Sequence, residues 1–378
     1  MAAAGHSRHR PRQRVRLAAT LGRVWVLLLA TLALVVVAND PHEHWIRPLA
    51  AAVAAVDAAL QDIHPDTTTP AAVEQLWAIV HAQPHSLAQY AALEAVQTAN
   101  ASLLDGLLRA HAERLLPVIY TPGVALACQY YGYLPRRTPV LVVPVGSDAA
   151  AVRMQLSGVP AADLRVVVLT DGERVLGLGD LGVWAAPIAV GKARLHALAG
   201  GAPLDAALPI VLDAGTDNVA LRQHDLYAGL PAPRTRPVQD AGATADLYTA
   251  TVRQLALALA ERTPVPLLHV EDVGRGTGFR LLDVARAERW PLPVFNDDIQ
   301  GTGAVVLAAL LAAVPSTGRA SLAELTVLIV GGGQAGIGIA RVRRPFHCVL
   351  CEGSERQVLT VPPPLVPREL PLRPSRQR

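Results

Sequence analysis

The sequence is poor in the residues that mark several common classes of protein. It has only three cysteines in 378 residues, too few for a disulfide framework, so a reducing compartment fits best. Lys, Phe and Met are scarce as well, a bias that we attribute to the base composition of the coding DNA. The net charge is +3, with arginines gathered at the two ends. The middle of the chain is therefore near neutral and does not indicate a nucleic-acid surface.

What the sequence does have is enough apolar material for ordinary globular domains. Hydrophobic residues make up 51% and charged residues 17% of the chain, a composition typical of globular proteins. A length of 378 residues can supply the cores of two domains.

Residues 1–40 resemble a presequence or an anchor. An Arg-rich stretch precedes the uncharged run from Val24 to Ala38, as in a secretory signal or membrane anchor, although the run is short for a span. The Arg spacing equally suits an organelle presequence, and an extended gene model would also explain it. We expect membrane contact only if residues 24–38 are retained. The location stays open between the cytoplasm and an organelle, either mitochondrion or plastid.

The residues from 41 to 138 are expected to be helical, and a different pattern begins at residue 139. Apolar residues recur every three or four positions between Leu93 and Leu108. Short apolar runs then follow one another, at 140–145, 164–169, 209–212, 266–270, 291–295 and 325–330. Because these runs are apolar on both faces and alternate with helical stretches such as 245–262, they predict a parallel sheet covered on both sides.

Two glycine patterns of the form G-x-G-x-x-G occur, in different contexts. The first lies just before a proline, Pro187, which we interpret as leaving no room for a phosphate-facing helix. Its glycines are Gly177, Gly179 and Gly182. The second follows the run 325–330 and opens a helix, the arrangement that a pyrophosphate needs, although an ordinary tight turn is the alternative. Its glycines are Gly331, Gly333 and Gly336.

The chain after Val342 is rich in Pro and Arg. The helix that follows the second glycine pattern meets Pro345 so soon that we expect no complete crossover to another strand. Residues 343–378 are therefore predicted to be a divergent tail, disordered or poorly packed. Glu352 lies near the position of a ribose-binding acid, but the short helix before it argues against that role.

Two pairs of acids are expected to share one site. Glu271 and Asp272 follow one apolar run, and Asp297 and Asp298 follow the next. In a parallel sheet the carboxyl ends of strands lie at one edge, where ligands bind. Four carboxylates repel one another unless a cation is present, and hard oxygen ligands favour Mg²⁺ or Mn²⁺. The plainer alternative is that these acids cap helices or solvate loops.

Lys192 and Arg174 are cations in apolar, Gly-rich surroundings. A lysine beside a metal in a dry site can act as a base, and an arginine can hold a carboxylate at two points. We expect burial to lower the pKa of Lys192. The alternative is a solvated lysine near a helix end.

Several strings of the sequence, taken together, resemble the malic enzyme family. They cover roughly residues 85–342 and include 119–122, 127–129, 170–182, 190–192, 212–218, 271–272, 279–282 and 295–302. With this resemblance the fold class is α/β. It comprises a helical N-terminal region at 41–138, a parallel-sheet malate and metal domain at 139–296, and the start of a Rossmann-type NAD(P)-binding domain at 297–342.

The resemblance also implies a reaction and a set of residues that perform it. Malate is oxidised and decarboxylated to pyruvate and CO₂, with NAD or NADP and with Mg²⁺ or Mn²⁺ as cofactors. The implied catalytic residues are the general base Lys192, the general acid Tyr120 and Asp297, which tunes the base. Arg174 would grip a substrate carboxylate, and Glu271, Asp272 and Asp298 would bind the metal. The glycines of the second pattern would bind the dinucleotide, and a homo-oligomer is expected.

The chain also departs from the family pattern. Gln334 replaces a glutamate in the glycine-rich turn, and residues 273–278 replace a more aromatic stretch, which could loosen the metal loop. The family's sequence beyond the first glycine-rich turn is expected to be missing. The alternative function is therefore an impaired fragment that binds metal or assembles with a full-length subunit. As written, we expect the chain to bind Mn²⁺ but to turn malate over poorly.

Overall fold

The first third of the chain is helical wherever the structure describes it. This computed structural model describes residues 43–63, 68–159, 163–175, 177–237, 246–262, 264–342, 347–352 and 355–357. The first helices are α1 (Glu43–Leu60), α2 (Pro70–His81), α3 (Ser86–Ala99), α4 (Ala101–Ala110), α5 (Ala112–Ile119) and α6 (Gly123–Gln129). The predicted helical N-terminal region is confirmed.

Local sequence explains where these helices begin and which faces they bury. Thr69 caps α2 by accepting a hydrogen bond from the Ala72 N–H at 3.3 Å, and Pro70 occupies the first turn, where a missing N–H costs nothing. Asn100 caps α4 in the same way. The leucines at helical spacing, such as Leu93 and Leu104, are fully buried in one core shared by these helices.

A five-stranded parallel sheet follows, as the apolar runs predicted. Its strands are β1 (Leu141–Pro144), β2 (Val166–Thr170), β3 (Ala207–Asp213), β4 (Leu267–Glu271) and β5 (Val294–Asn296). Their order across the sheet is β1-β3-β2-β4-β5, and every neighbouring pair is parallel. The connecting helices are α7 (Ala149–Ser157), α8 (Ala186–Leu198), α9 (Val219–Arg222), α10 (Leu247–Ala260) and α11 (Arg275–Ala287).

Helices cover both faces of this sheet, which is why its strands are apolar throughout. On β2, Val167 and Leu169 pack into a core shared with α7, α10 and α11. The alternate residues Val166 and Val168 pack against α8 on the opposite face. The site described below lies on the α8 side, at the carboxyl ends of β4 and β5.

A second, smaller sheet shows that the expected absence of a crossover after Val342 was wrong, while residues 358–378 of the predicted tail lie outside the described residues. After α12 (Thr302–Ala313), β6 (Thr326–Val330) runs through the second glycine pattern into α13 (Gln334–Arg341). His347–Glu352 then forms β7, which pairs in parallel with β6, and Glu355–Gln357 forms β8, antiparallel to β7. The α/β pattern therefore continues past Val342, because residues 331–346 are long enough for a crossover even though the helix is short.

Two segments of the chain bear on membrane contact. The run from Val24 to Ala38 lies outside the described residues. Asp297–Thr317 is apolar and long enough to span a membrane by length and composition, and 17% of an apolar 18-residue stretch within it is buried. This stretch begins at two of the predicted site acids, and α12 within it packs against α13.

Candidate metal and substrate site

The two acidic pairs meet where β4 and β5 end. Glu271 is the last residue of β4, and Asp297–Gly301 forms a single π turn directly after β5. One carboxylate oxygen from each of Glu271, Asp272 and Asp298 lies within 4.8 Å of the others. We call these three residues the acidic cluster. Their spacing would allow all three to bind one metal ion, with the oxygen ligands that Mg²⁺ and Mn²⁺ prefer.

The electrostatics of the acidic cluster favour a cation. Burial and the nearby Glu271 carboxylate raise the pKa of Asp272 to about 8. The same two causes raise the pKa of Asp298 to about 6. Both carboxylates are thus costly to ionise, and a bound cation would remove that cost.

The backbone at Asp272 adds to this picture. Asp272 has φ +51°, in the left-handed region where a residue other than glycine is strained by about 1–3 kcal/mol. The conformation directs its N–H to the Asp298 carboxylate at 2.9 Å, so the two loops are joined at the cluster. Residues with strained backbones occur often at ligand sites, where contacts with the surrounding structure hold them in that conformation.

Lys192 and Tyr120 approach the cluster from the helical side. Lys192 lies in α8, 13% exposed, with Nζ 3.0 Å from Glu271 Oε1 and in an ion pair with Asp297. Tyr120, at the end of α5, donates its hydroxyl to the same Glu271 oxygen at 3.0 Å, and Lys192 Nζ lies 4.8 Å from its ring centroid. A side chain at Gly191 would come within 2.8 Å of the Ile119 carbonyl, so this glycine lets α5 approach α8.

The prediction that burial lowers the pKa of Lys192 is wrong for the protein alone. Burial does act in that direction, but the carboxylate of Glu271 and the hydrogen bond to Asp297 outweigh it, so the pKa is raised. The pKa of Tyr120 is raised too, by burial and by Glu271. The net charge around the ammonium decides its pKa, and without another cation that charge is negative.

Arg174 and the first glycine pattern lie beside the cluster in the loop after β2. The Arg174 N–H donates to the Asp272 carbonyl at 3.1 Å, while the Arg174 side chain is exposed. Gly179 closes a tight turn by pairing with Val175. The expectation that Pro187 leaves no room for a helix was wrong, because α8 starts at Ala186 with Pro187 in its first turn.

Sequence reasoning missed a second group of buried charges near this loop. Arg234, whose side chain is fully buried, donates to Asp180 Oδ2 at 2.9 Å and lies 3.4 Å from Asp171 Oδ2. The Tyr248 hydroxyl donates a hydrogen bond to the same oxygen, Asp171 Oδ2, at 2.8 Å. We call Asp171, Asp180 and Arg234 the Arg234 network. A lone Arg in a Pro-rich loop carries no sequence signal for such a position.

The second glycine pattern forms the predicted turn between strand and helix. Gly331 has φ +113°, and a side chain at Gly336 would clash with the Gly331 carbonyl oxygen. Gly333 precedes the first residue of α13 and has open space around it, which leaves the helix N-terminus accessible. The turn and the start of α13 are therefore free of side chains at these three positions.

Gln334 joins this turn to the loop that carries Asp272. Its amide nitrogen donates to the carbonyls of Val273 at 3.1 Å and Gly274 at 2.8 Å. A side chain at Gly278 would come within 2.6 Å of the same nitrogen, so that glycine makes room for the contact. The two departures noted in the sequence thus meet in space, and the amide holds the loop that we expected to be loose.

Two histidines behind Glu271 were also missed. His269 Nε2 lies 3.0 Å from Glu271 Oε2, and His269 Nδ1 lies 2.8 Å from His196 Nε2. His269 is 2% exposed, and its ring packs edge-on against Phe295. The sequence signal is the spacing His269-x-Glu271 on a strand and Lys192-x-x-x-His196 on a helix, because each spacing puts both residues on one face.

Comparisons with known proteins give a consistent result. The model of the malic enzyme N-terminal domain matches residues 97–286, and that of the malic enzyme NAD binding domain matches residues 299–353. The NADP-dependent malic enzyme of Anas platyrhynchos is 38% identical over 257 residues, 68% of this chain and 44% of that protein. The NAD-dependent malic enzyme of Edwardsiella ictaluri is 37% identical over 252 residues, 67% of this chain and 42% of that protein. The chain thus spans less than half the length of these relatives.

A solved structure is similar as well. The malic enzyme of Pyrococcus horikoshii is 25% identical and covers 64% of this chain and 44% of that chain, with a TM-score of 0.36.

Proposed function

The chain belongs to the malic enzyme family, and we propose that its site binds a divalent cation and malate for oxidative decarboxylation to pyruvate and CO₂. The observation that carries this proposal is the convergence of three buried carboxylates with Lys192 and Tyr120. The acidic cluster would hold Mg²⁺ or Mn²⁺, which when bound would polarise the C2 oxygen of malate and offset the negative charge around Lys192.

In this proposal Lys192, as the neutral amine, would accept the proton of the C2 hydroxyl, and the nicotinamide when bound would supply the hydride acceptor. Asp297, paired with Lys192, would orient the amine and stabilise the ammonium that forms. After CO₂ is lost, Tyr120 returns a proton to C3, and the ring contact between Tyr120 and Lys192 keeps donor and base together. Arg174, exposed in the adjoining loop, would pair with a carboxylate of malate.

The nicotinamide cofactor would bind at the turn formed by Gly331, Gly333 and Gly336. We propose NAD or NADP as that cofactor.

The test of the reaction is nicotinamide reduction with malate and Mn²⁺. Wild type is compared with Lys192→Ala and with Arg153→Ala, a matched loss of an exposed cation that pairs with Glu261 on the far side of the sheet domain. Turnover that is lost in Lys192→Ala and kept in Arg153→Ala supports the proposal. Equal turnover in all three proteins overturns the role of Lys192.

Metal binding can be measured separately on the same residue. Lys192 is the only lysine in the 378-residue chain, so reductive carbon-13 methylation labels one side chain besides the N-terminus. Mn²⁺ in the acidic cluster should broaden that methyl signal by paramagnetic relaxation, and Asp272→Asn should prevent the broadening. Broadening without turnover would support the alternative function, a fragment that binds metal or assembles with a full-length subunit. Assembly into a homo-oligomer stays a prediction.

A further inference from the structure

The two histidines behind Glu271 form a continuous line from the acidic cluster to α8. On β4 the two-residue period places His269 and Glu271 on the same face of the sheet, the face that α8 covers. On α8 the four-residue spacing places His196 one turn after Lys192. The helix and the strand therefore meet twice, at Lys192 with Glu271 and at His196 with His269.

The hydrogen bonds along this line have a defined direction. A metal-binding carboxylate is deprotonated and can only accept, so His269 must donate its Nε2–H to Glu271 Oε2. A neutral His269 then has only an acceptor at Nδ1, and His196 must donate its own Nε2–H to that nitrogen at 2.8 Å. With His269 neutral, this line requires the Nε2–H tautomer of both imidazoles.

The surroundings keep this arrangement rigid. Burial lowers the pKa of His196, which disfavours a charged ring at that position. The two imidazole rings meet edge to face at an interplanar angle of 86°. Phe295 contacts the His269 ring at 82° from another side, so the ring has little freedom to turn.

We propose that His196 and His269 are positioning residues that orient the Glu271 carboxylate for metal binding. With Oε2 held by His269, the other oxygen, Oε1, faces Lys192 and Tyr120. The carboxylate is thus fixed before a cation arrives, and the ordering cost of binding is reduced. This inference rests on the proposed function, since it concerns the same metal site.

The test measures Mn²⁺ affinity by titration calorimetry and by the electron paramagnetic resonance of free Mn²⁺, on the full chain. His269→Leu removes the donor at similar size and should weaken Mn²⁺ binding by about 10- to 100-fold. His269→Gln can still donate an amide N–H to Glu271 and should restore affinity to within a few-fold of wild type. His196→Leu leaves the direct bond intact and should have an intermediate effect.

The matched control is His111→Leu, because His111 also pairs with a glutamate, Glu74, but lies in the helical region. Mn²⁺ affinity should not change in that variant, and thermal unfolding in the presence of a chelator checks that every variant is folded. Wild-type affinity in His269→Leu would overturn the proposal. So would an equal loss in His269→Leu and His269→Gln, because rescue by the amide is what distinguishes positioning from packing.

Nitrogen-15 spectra of the histidine rings provide a readout that does not need the metal. Both His196 and His269 should appear as neutral Nε2–H tautomers at neutral pH, and Glu271→Gln should alter the His269 signal. An Nδ1–H tautomer at either residue would overturn the hydrogen-bond line. If wild type binds no Mn²⁺ but shows both tautomers, the proposed metal site fails while the geometry of the histidines stands.

Discussion

The acidic cluster and the Arg234 network are both groups of buried carboxylates, yet they differ in how their charge is balanced. In the Arg234 network a buried guanidinium lies against both acids. Arg234 holds the pKa of Asp180 below its usual value despite burial, whereas burial outweighs Arg234 at Asp171, whose pKa is raised. In the acidic cluster Lys192 faces Glu271, and the pKa values of both Asp272 and Asp298 are raised. The first group is thus balanced in part by its own guanidinium. The second is left shorter of positive charge, as a metal site is.

The largest effect should come from breaking the balanced group. Arg234→Met leaves two buried carboxylates without their cation and should lower the free energy of unfolding by about 3–5 kcal/mol. Arg236→Met is the control, because Arg236 lies two residues away with its side chain 48% exposed on Glu173 and Asp217. That exposed pair should contribute no more than about 1 kcal/mol. Equal losses in the two variants, measured by denaturant unfolding, would remove the distinction.

A smaller change tests whether neutralising one acid has opposite effects on the free energy of unfolding in the two groups. Asp272→Asn removes a carboxylate that is costly to ionise, and asparagine tolerates the left-handed backbone there. In a chelator at pH 8 it should raise the free energy of unfolding by about 1–3 kcal/mol. Asp180→Asn should lower it by a similar amount, about 1–3 kcal/mol, because Arg234 loses its charged partner. Destabilisation by both substitutions would show that the acidic cluster is balanced after all.

The pH dependence of stability should show the same difference within the wild-type protein. The folded-state pKa values of Asp272, about 8, and Asp298, about 6, lie above their ordinary value of 3.8, so the folded protein holds extra protons. Stability contributed by these groups is present at low pH and is lost as pH rises from about 4 towards 8. The free energy of unfolding, measured in a chelator, should therefore fall as pH rises over that range. In Asp272→Asn this fall should be smaller near the upper end of the range. Added Mn²⁺ should restore stability to wild type alone.

The smallest effect should come from the neutral contact that holds the metal loop. Gln334→Glu replaces an amide donor by a carboxylate that cannot donate to the carbonyls of Val273 and Gly274. Global stability should fall by about 1 kcal/mol. Amide hydrogen exchange should accelerate around residues 273–278 while the exchange of β2 and β3 stays unchanged. Unchanged exchange in that loop would mean that the acidic cluster keeps its geometry without help from α13.

The sequence predicted the strands and the acids well, for reasons of period and position. Strands buried on both faces are apolar without alternation, so β2, β3 and β4 were recognisable from short runs alone. Acids at the ends of such strands lie at one edge of a parallel sheet, so the same pattern predicted that Glu271 and Asp298 lie close together. The roles of these residues in catalysis stay predictions.

The two failures have different physical reasons, and neither was visible in a local sequence pattern. The pKa of Lys192 follows from burial and from carboxylates at Glu271 and Asp297, whose distances no local pattern contains. The strand β7 was missed because the helix after β6 looked too short for a crossover. The length of the whole connection between β6 and β7, and not that of the helix alone, determines whether the two strands can pair in parallel.

The sequence by itself determined which residues could do chemistry here, since residue type and spacing decide where acids, glycines and a single lysine lie along each element. Only the tertiary structure decided which buried charges are balanced and which are not. His196 and His269 are 73 residues apart in the chain, and Arg234 lies 54 residues from Asp180. Electrostatic energy depends on distances in space and on burial, and both are set when α8 packs on the sheet and the loops close over β2.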